Sequence, residues 1–404
     1  MVSHIVQPAD ILLPADADMT KWSVIACDQY TSDQKYWAQA DSIVGEAPST
    51  LRLMLPECYL GKCDESAAVS QIQQTMRSYI ENGVFRKLEH SFVYLERTLP
   101  EGTVRRGLIG MVDLEAYDYQ PDSVSPIRAT EGTVESRLPP RIQVRSEAVI
   151  EMPHIMLFFN DSSDLVMTQA KACAGMELYN FDLMLGGGHV VGRGICGQEA
   201  DRLAEKLEVL TASSGMRYAV GDGNHSLAAA RAFWQRKRET LAPSDCETDP
   251  ARYALVELVN IHDPAITFEP IHRVLFATNA DSFFFEAEQM LSGSDASRSV
   301  TLLAGGQQKR IRVRGASIGE VIDRVEQFCR AFVEEHGGEI DYIHGDAETI
   351  ALASTSGNAG VLLPSLAKDE LFSSVEQTGP FPKKSFSIGL GPDKRYYLEC
   401  RKIK

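Results

Sequence analysis

Tyr218-Ala219-Val220-Gly221-Asp222-Gly223-Asn224-His225-Ser226-Leu227-Ala228-Ala229-Ala230 is the most informative stretch of this 404-residue chain. A short apolar run ends at Gly221, two glycines bracket one acid, a polar triplet follows, and an alanine-rich segment begins. That order predicts a strand, a tight turn and a helix N-terminus. The first-turn N–H groups of a helix lack intrahelical acceptors and lie at the positive end of the dipole. Such a place holds phosphate or carboxylate well. Gly221 and Gly223 permit dihedrals and close approach that a side chain forbids. Asn224 or Ser226 is expected to cap the helix, and Ala228 to Ala230 let it lie close to a sheet. Turn chemistry alone accounts for most of these residue types. It does not account for His225, which beside Asp222 and an anion site makes a proton-transfer pair. The expected roles are catalytic for His225 and Asp222, and ligand-binding for Gly221, Gly223, Asn224 and Ser226.

Upstream, Arg128, Arg137, Arg141 and Arg145 fall within 18 residues. Arginine's planar fork suits bidentate recognition of phosphate or carboxylate; a solvated charged loop is the plainer account. Residues 117–149 read as loop, with Pro121, Pro126, Pro139 and Pro140. Glu131 is placed to orient an arginine or bind a metal ion. Asp28, in Cys27-Asp28-Gln29, is a further candidate for Mg²⁺ or for base chemistry. Cys27 has no adjacent His or Lys to lower its pKa and reads as a structural thiol. Gly186-Gly187-Gly188-His189 lacks the G-K-[ST] ending of a phosphate loop and reads as a hairpin turn. His262 and His272 read as structural histidines of strands, and Lys383-Lys384 as a solvent-facing pair.

The chain carries 56 acidic against 40 basic residues, a net charge of −16. That excess disfavours a phosphate polymer but leaves room for a small anion at a local cluster of donors. Hydrophobic residues at 44% and charged residues at 24% indicate a globular chain, not a disordered one. The apolar run Ile155 to Phe159 is far short of a membrane span. Met1 to Leu13 holds Asp10 and no Lys or Arg, so no secretory or transit peptide is expected. Eight scattered cysteines without a C-x-x-C pair predict free thiols in a reducing cytoplasm. Strand and helix patterns alternate with several hairpins, for example 92–95 with 108–112 and 300–303 with 310–313, while 66–80, 167–178, 198–210, 226–240, 282–291 and 318–333 read as helices. The expected fold class is α+β (mixed α/β), in three regions: 1–125, 126–280 around the turn, and 281–404.

The turn resembles the D-G-H/N-H-R-x-x-A-A signature of the ParB/sulfiredoxin-like superfamily, whose members bind nucleotides at this strand–turn–helix. Asp222 and Gly223 match the turn, and His225 matches the second His. Ser226 stands where the signature usually has a phosphate-contacting Arg. Asn224 stands where sulfiredoxin has its reactive Cys, which excludes that chemistry here. Nearly the whole chain is also similar to bacterial proteins of the domain of unknown function 1015 family. The likeness is carried by Trp22 to Ser32, Arg128 to Thr133, Arg137 to Arg141, Tyr179 to Asp182 before Gly187-Gly188-His189, and Glu269 to Arg273. The resemblance implies a ParB/sulfiredoxin-like core that binds ATP or ADP with Mg²⁺, Arg128, Arg137 and Arg141 replacing the missing Arg. A nucleotide-dependent phosphotransferase acting on a small metabolite, or a nucleotide hydrolase, is then expected. The alternative is a non-enzymatic ligand-sensing module. Neither DNA, RNA nor a membrane is an expected partner, since no helix-turn-helix with a basic recognition face is visible.

Overall fold

The computed structural model describes residues 4–26, 30, 33–293 and 296–404. Cys27 and the metal candidate Asp28 lie outside the described residues, as does the side chain of Arg137. The mixed α/β class holds. Among the described residues an 11-stranded sheet runs, from one edge, through Glu177–Asp182, His189–Cys196, Phe85–Thr98, Val104–Asp113, Tyr253–Asn260, Met156–Phe159, Tyr218–Asp222, Ile127–Ala129 and Tyr117–Asp118. Val6–Gln7 and Ala9–Pro14 add to it alongside Val104–Asp113 and Phe85–Thr98. Strands from residues 1–125 and from 126–280 thus alternate within one sheet. A second, six-stranded sheet draws on Phe268–Phe276, Ala296–Ala304, Gln307–Arg314, Glu339–His344, Ala359–Leu362 and Phe386–Ile388.

Apolar periodicity drives both layers. In the helix Ile318–His336, Ile318, Val321, Ile322, Val325, Phe328, Cys329 and Phe332 are all buried, at the three- and four-residue spacing of one helical face. Phe283, from the helix Phe283–Leu291, packs its ring against Phe328 and Phe332 with centroids 5.5 and 5.2 Å away. Each such fully buried ring stabilises the fold by roughly 1.5–3 kcal/mol. The helix Asn224–Arg238 buries Leu227, Ala228, Ala229, Ala230 and Trp234. Glu115 ties down its far end, taking bonds from Trp234 Nε1 at 2.6 Å and from Arg231 and Arg238. Burial acts to raise the Glu115 carboxyl, but these donors prevail and bring it down to about 2.

Three local expectations are corrected. The loop expected over 117–149 becomes a helix, Leu138–Glu147, in its last third. Pro139 and Pro140 sit in its first turn, where a missing N–H removes no intrahelical bond. The helix expected over 167–178 ends at Cys173, and a strand starts at Glu177. By its sequence, Tyr396 to Cys400 reads as one last strand; the structure instead forms two short ones, Tyr396–Tyr397 paired with Val24–Ile25 and Arg401–Lys402 paired with Ile150–Glu151. The chain's end is thereby folded back onto its beginning, with Trp22 Nε1 donating to the Leu398 carbonyl at 2.9 Å. The described cysteines are free. Among the described residues, no helix is long and apolar enough to cross a membrane.

Candidate functional site

The strand Tyr218–Asp222 lies between Met156–Phe159, antiparallel, and Ile127–Ala129, parallel. Both neighbours shape the turn that follows. A Cβ on Gly221 would meet the Phe158 ring at 2.5 Å, so this glycine serves close packing. Gly223 adopts φ +75°, and a Cβ there would lie 2.8 Å from Ile155 Cα. Gly223 is also the helix N-cap, and no side chain caps the helix. The cap expected from Asn224 or Ser226 is therefore not made. Asn224 is used elsewhere: its Nδ2 donates to the Glu131 carbonyl at 2.9 Å and to Thr133 Oγ1 at 3.0 Å, and its Oδ1 accepts from Tyr117 at 3.3 Å. It braces the 131–133 segment against the helix start. Thr130 adds a bond to the Val220 carbonyl at 2.6 Å.

These contacts frame a cleft of about 490 Å³, bounded by Glu57, Thr130, Glu131, Arg141, His154 and the backbone from Val220 to Ser226. Among the described residues, three carboxylates line it: Asp222, Glu131 and Glu57, the last paired with Arg141. Asp222 Oδ1 accepts the N–H of Gly223 at 2.8 Å, and its Oδ2 lies 3.2 Å from Lys394 Nζ. Glu131 accepts the N–H of Lys384. Burial above all, with the Asp222 charge, holds the Glu131 carboxyl above its ordinary range; the Lys384 N–H, Lys383 and Lys394 act the other way. His225 Nε2 accepts the Val134 N–H at 3.2 Å, which leaves a proton of the neutral ring on Nδ1.

Of the expected site residues, Gly221, Asp222, Gly223, Asn224, His225, Ser226, Glu131 and Arg141 meet around this one cleft. Arg141 pairs with Glu57 across its wall. Arg128 is not among the lining residues: its Nε donates to the Ser125 carbonyl at 2.9 Å, and its guanidinium lies toward Gly215. Arg145 turns to Glu151 at 2.7 Å.

Lys394, Glu57 and His154 were not anticipated. His154 Nδ1 is 3.0 Å from the Tyr397 hydroxyl. Lys394 arrives on a loop clamped from beneath. Arg97 donates to the carbonyls of Gly187, Pro392, Asp393 and Lys394, and Arg105 donates to that of Asp393. The second sheet contributes as well, since Arg273 Nη1 holds the Lys384 carbonyl at 2.9 Å. Lys394 sits between Asp393 and Arg395, an ordinary charged stretch by sequence. Nothing local marks it as a neighbour of a turn 170 positions earlier.

A mixed α/β fold with a polar, mixed-charge cleft at a strand-to-helix turn is the class that this geometry defines. A family model described as "Protein of unknown function (DUF1015)" matches residues 6–399, and the chain belongs to that family. No functionally curated protein matches it. Among solved structures it is similar to a C-terminally truncated SbnI from Staphylococcus aureus, with 11% identity, a TM-score of 0.37, and coverage of 70% of this chain and 82% of that one. It is also similar to a free serine kinase variant in complex with ADP, with 10% identity, a TM-score of 0.40, and coverage of 75% and 93%. A conserved hypothetical protein from Pyrococcus furiosus follows at 10% identity and a TM-score of 0.34, covering 69% and 90%.

Proposed function

We propose that the cleft binds the phosphates of an ATP- or ADP-type nucleotide and that the protein passes a phosphoryl group to a small metabolite. The observation that carries this reading is the convergence of a helix start at Gly223 and of Arg141 on one cleft that also holds Asp222 and Glu131, with Lys394 paired to Asp222. The helix N-terminus and the two cations supply the positive field that a phosphoryl transfer requires. The ParB/sulfiredoxin-like reading of the turn agrees with this arrangement. Mg²⁺ accompanying the phosphates would find its carboxylate oxygen in Asp222.

In the proposed step, the acceptor's hydroxyl oxygen bonds to the terminal phosphorus. The bond from that phosphorus to its bridging oxygen breaks, and its electron pair leaves with the shortened nucleotide. The hydroxyl proton passes to Glu131, whose carboxyl is held above its ordinary range by burial. His225, engaged by Val134, positions the 131–134 segment, and Asn224 positions Glu131 through its carbonyl. Isothermal titration with ATP, ADP, CTP and GTP, with and without Mg²⁺, tests the reading. Binding that Arg141→Ala weakens supports it, and no binding at millimolar nucleotide defeats it. Tight binding without phosphate transfer to any of a metabolite panel favours the ligand-sensing module instead.

A further inference from the structure

A second hollow, of about 470 Å³, adjoins the cleft and shares Glu57, Arg141, His154 and Ser226 with it. Its character is opposite. Leu55, Val69, Met76, Val144, Ile150 and Met152 are among the residues that line it. Leu55, Val69 and Val144 are only half-buried, and Leu60 at the rim is 39% exposed. Aliphatic surface gathered around an open hollow marks a place where something apolar binds.

The hollow is set by three helices: Glu65–Glu81 supplies Val69 and Met76, Leu138–Glu147 supplies Val144, and Asn224–Arg238 supplies Ser226 and Ala229. Ser226 belongs to both spaces and Ala229 to the apolar one. They stand three positions apart on the helix, about 4.5 Å along the axis. An anion seated on the first turn therefore has its substituent at the mouth of the aliphatic hollow.

The charged groups of that hollow are engaged by the protein except at Arg145, whose Nε and Nη2 are buried without a hydrogen-bond partner among the described residues. Glu57 pairs with Arg141, Arg145 with Glu151, and His154 with Tyr397. Away from Arg145 the lining is aliphatic, which suits a hydrocarbon better than the polar edge of a nucleobase. We infer that the hollow takes the hydrocarbon body of the phosphoryl acceptor, so that the product is a phosphate monoester of an apolar alcohol spanning both spaces. This rests on the phosphate reading of the turn given above.

The test uses inorganic phosphate and the monoalkyl phosphates from methyl to octyl, titrated into the full chain below micelle-forming concentrations. Affinity should rise about fourfold for each methylene that enters the hollow and then level off as it fills. Val144→Glu, at a half-exposed helix position, should abolish the chain-length dependence while leaving inorganic phosphate binding unchanged. Val69→Gln should blunt the dependence in the same sense. Phosphate binding with an affinity flat across the series, or a dependence untouched by both variants, overturns the apolar acceptor and spares the phosphate reading. No binding of inorganic phosphate or of any nucleotide overturns the phosphate reading itself.

Discussion

Arg97, Arg105 and Arg395 occupy one buried cluster, while Arg141 lines an open cleft and Lys394 pairs with Asp222 of that cleft. Both places concentrate cations in an acidic chain, and only their surroundings tell them apart. Arg97 and Arg105 are directly opposite each other on neighbouring strands, an unfavourable pairing of like charges on its own. The cluster is made tolerable by Glu257, which lies 3.5 Å from Arg105 and 2.7 Å from Arg395, by Glu399 at 2.6 Å from Arg395, and by the row of carbonyls at 392–394. Gly107 makes room for Glu257, since a Cβ there would lie 2.4 Å from its carboxylate. These guanidinium groups are spent on the protein itself and fix the C-terminal loop. At the cleft, Arg141 pairs with Glu57 and Lys394 with Asp222, and all four side chains are partly exposed. A buried cation with several protein acceptors is architecture; a partly exposed cation beside a hollow also faces whatever enters it.

Breaking the buried side should have the largest effect. Arg395→Met leaves Glu257 and Glu399 without their main counter-ion and should cost roughly 3–5 kcal/mol in denaturant unfolding. Gly223→Ala comes next. It forces a side chain into a left-handed conformation against the Ile155 backbone and should lose roughly 1–3 kcal/mol, together with phosphate binding measured by titration. Arg141→Ala should show the reverse pattern: stability within about 1 kcal/mol of the parent, because its pair with Glu57 is partly exposed, but nucleotide affinity lowered roughly 10- to 100-fold, as expected for a charged hydrogen bond.

The pH dependence is smaller and has a definite sign. The folded pKa of Glu131 lies above its unfolded value, so within that window the folded chain binds more protons. Stability should then fall as pH rises from the ordinary carboxylate range through the raised value. Phosphate affinity should fall in the same direction as Glu131 acquires its charge. Thermal melts and titrations of Glu131→Gln across that range should lose both slopes. Arg128→Ala, at a residue turned away from the cleft, should leave nucleotide affinity unchanged; a tenfold loss would mean that the cleft is drawn too small.

The strand–turn–helix was legible in thirteen consecutive residues. Its shape is decided by neighbours in the chain: a left-handed Gly223, an apolar run before it and an alanine-rich helix after it. The hairpins at 92–112 and 300–313 were legible for the same reason. The helix Leu138–Glu147 was not, because two adjacent prolines resemble a loop until the first turn of a helix is seen to need no donors there. Arg141 was singled out for its residue type, and the fold brings it to the cleft. Arg128 was singled out on identical grounds, and the fold turns it elsewhere.

By itself, then, the sequence determined the mixed α/β class and the strand–turn–helix with its nearest acid and histidine, all of which depend on local spacing and backbone preference. Only the tertiary structure decided that Lys394, Glu57 and His154 would close around that turn, that Asn224 would serve as a brace, and that an aliphatic hollow would open beside it. Those outcomes depend on long-range packing. The C-terminal strands return to the N-terminal sheet, a buried arginine pair fixes the loop they carry, and chain segments hundreds of residues apart then share one cleft.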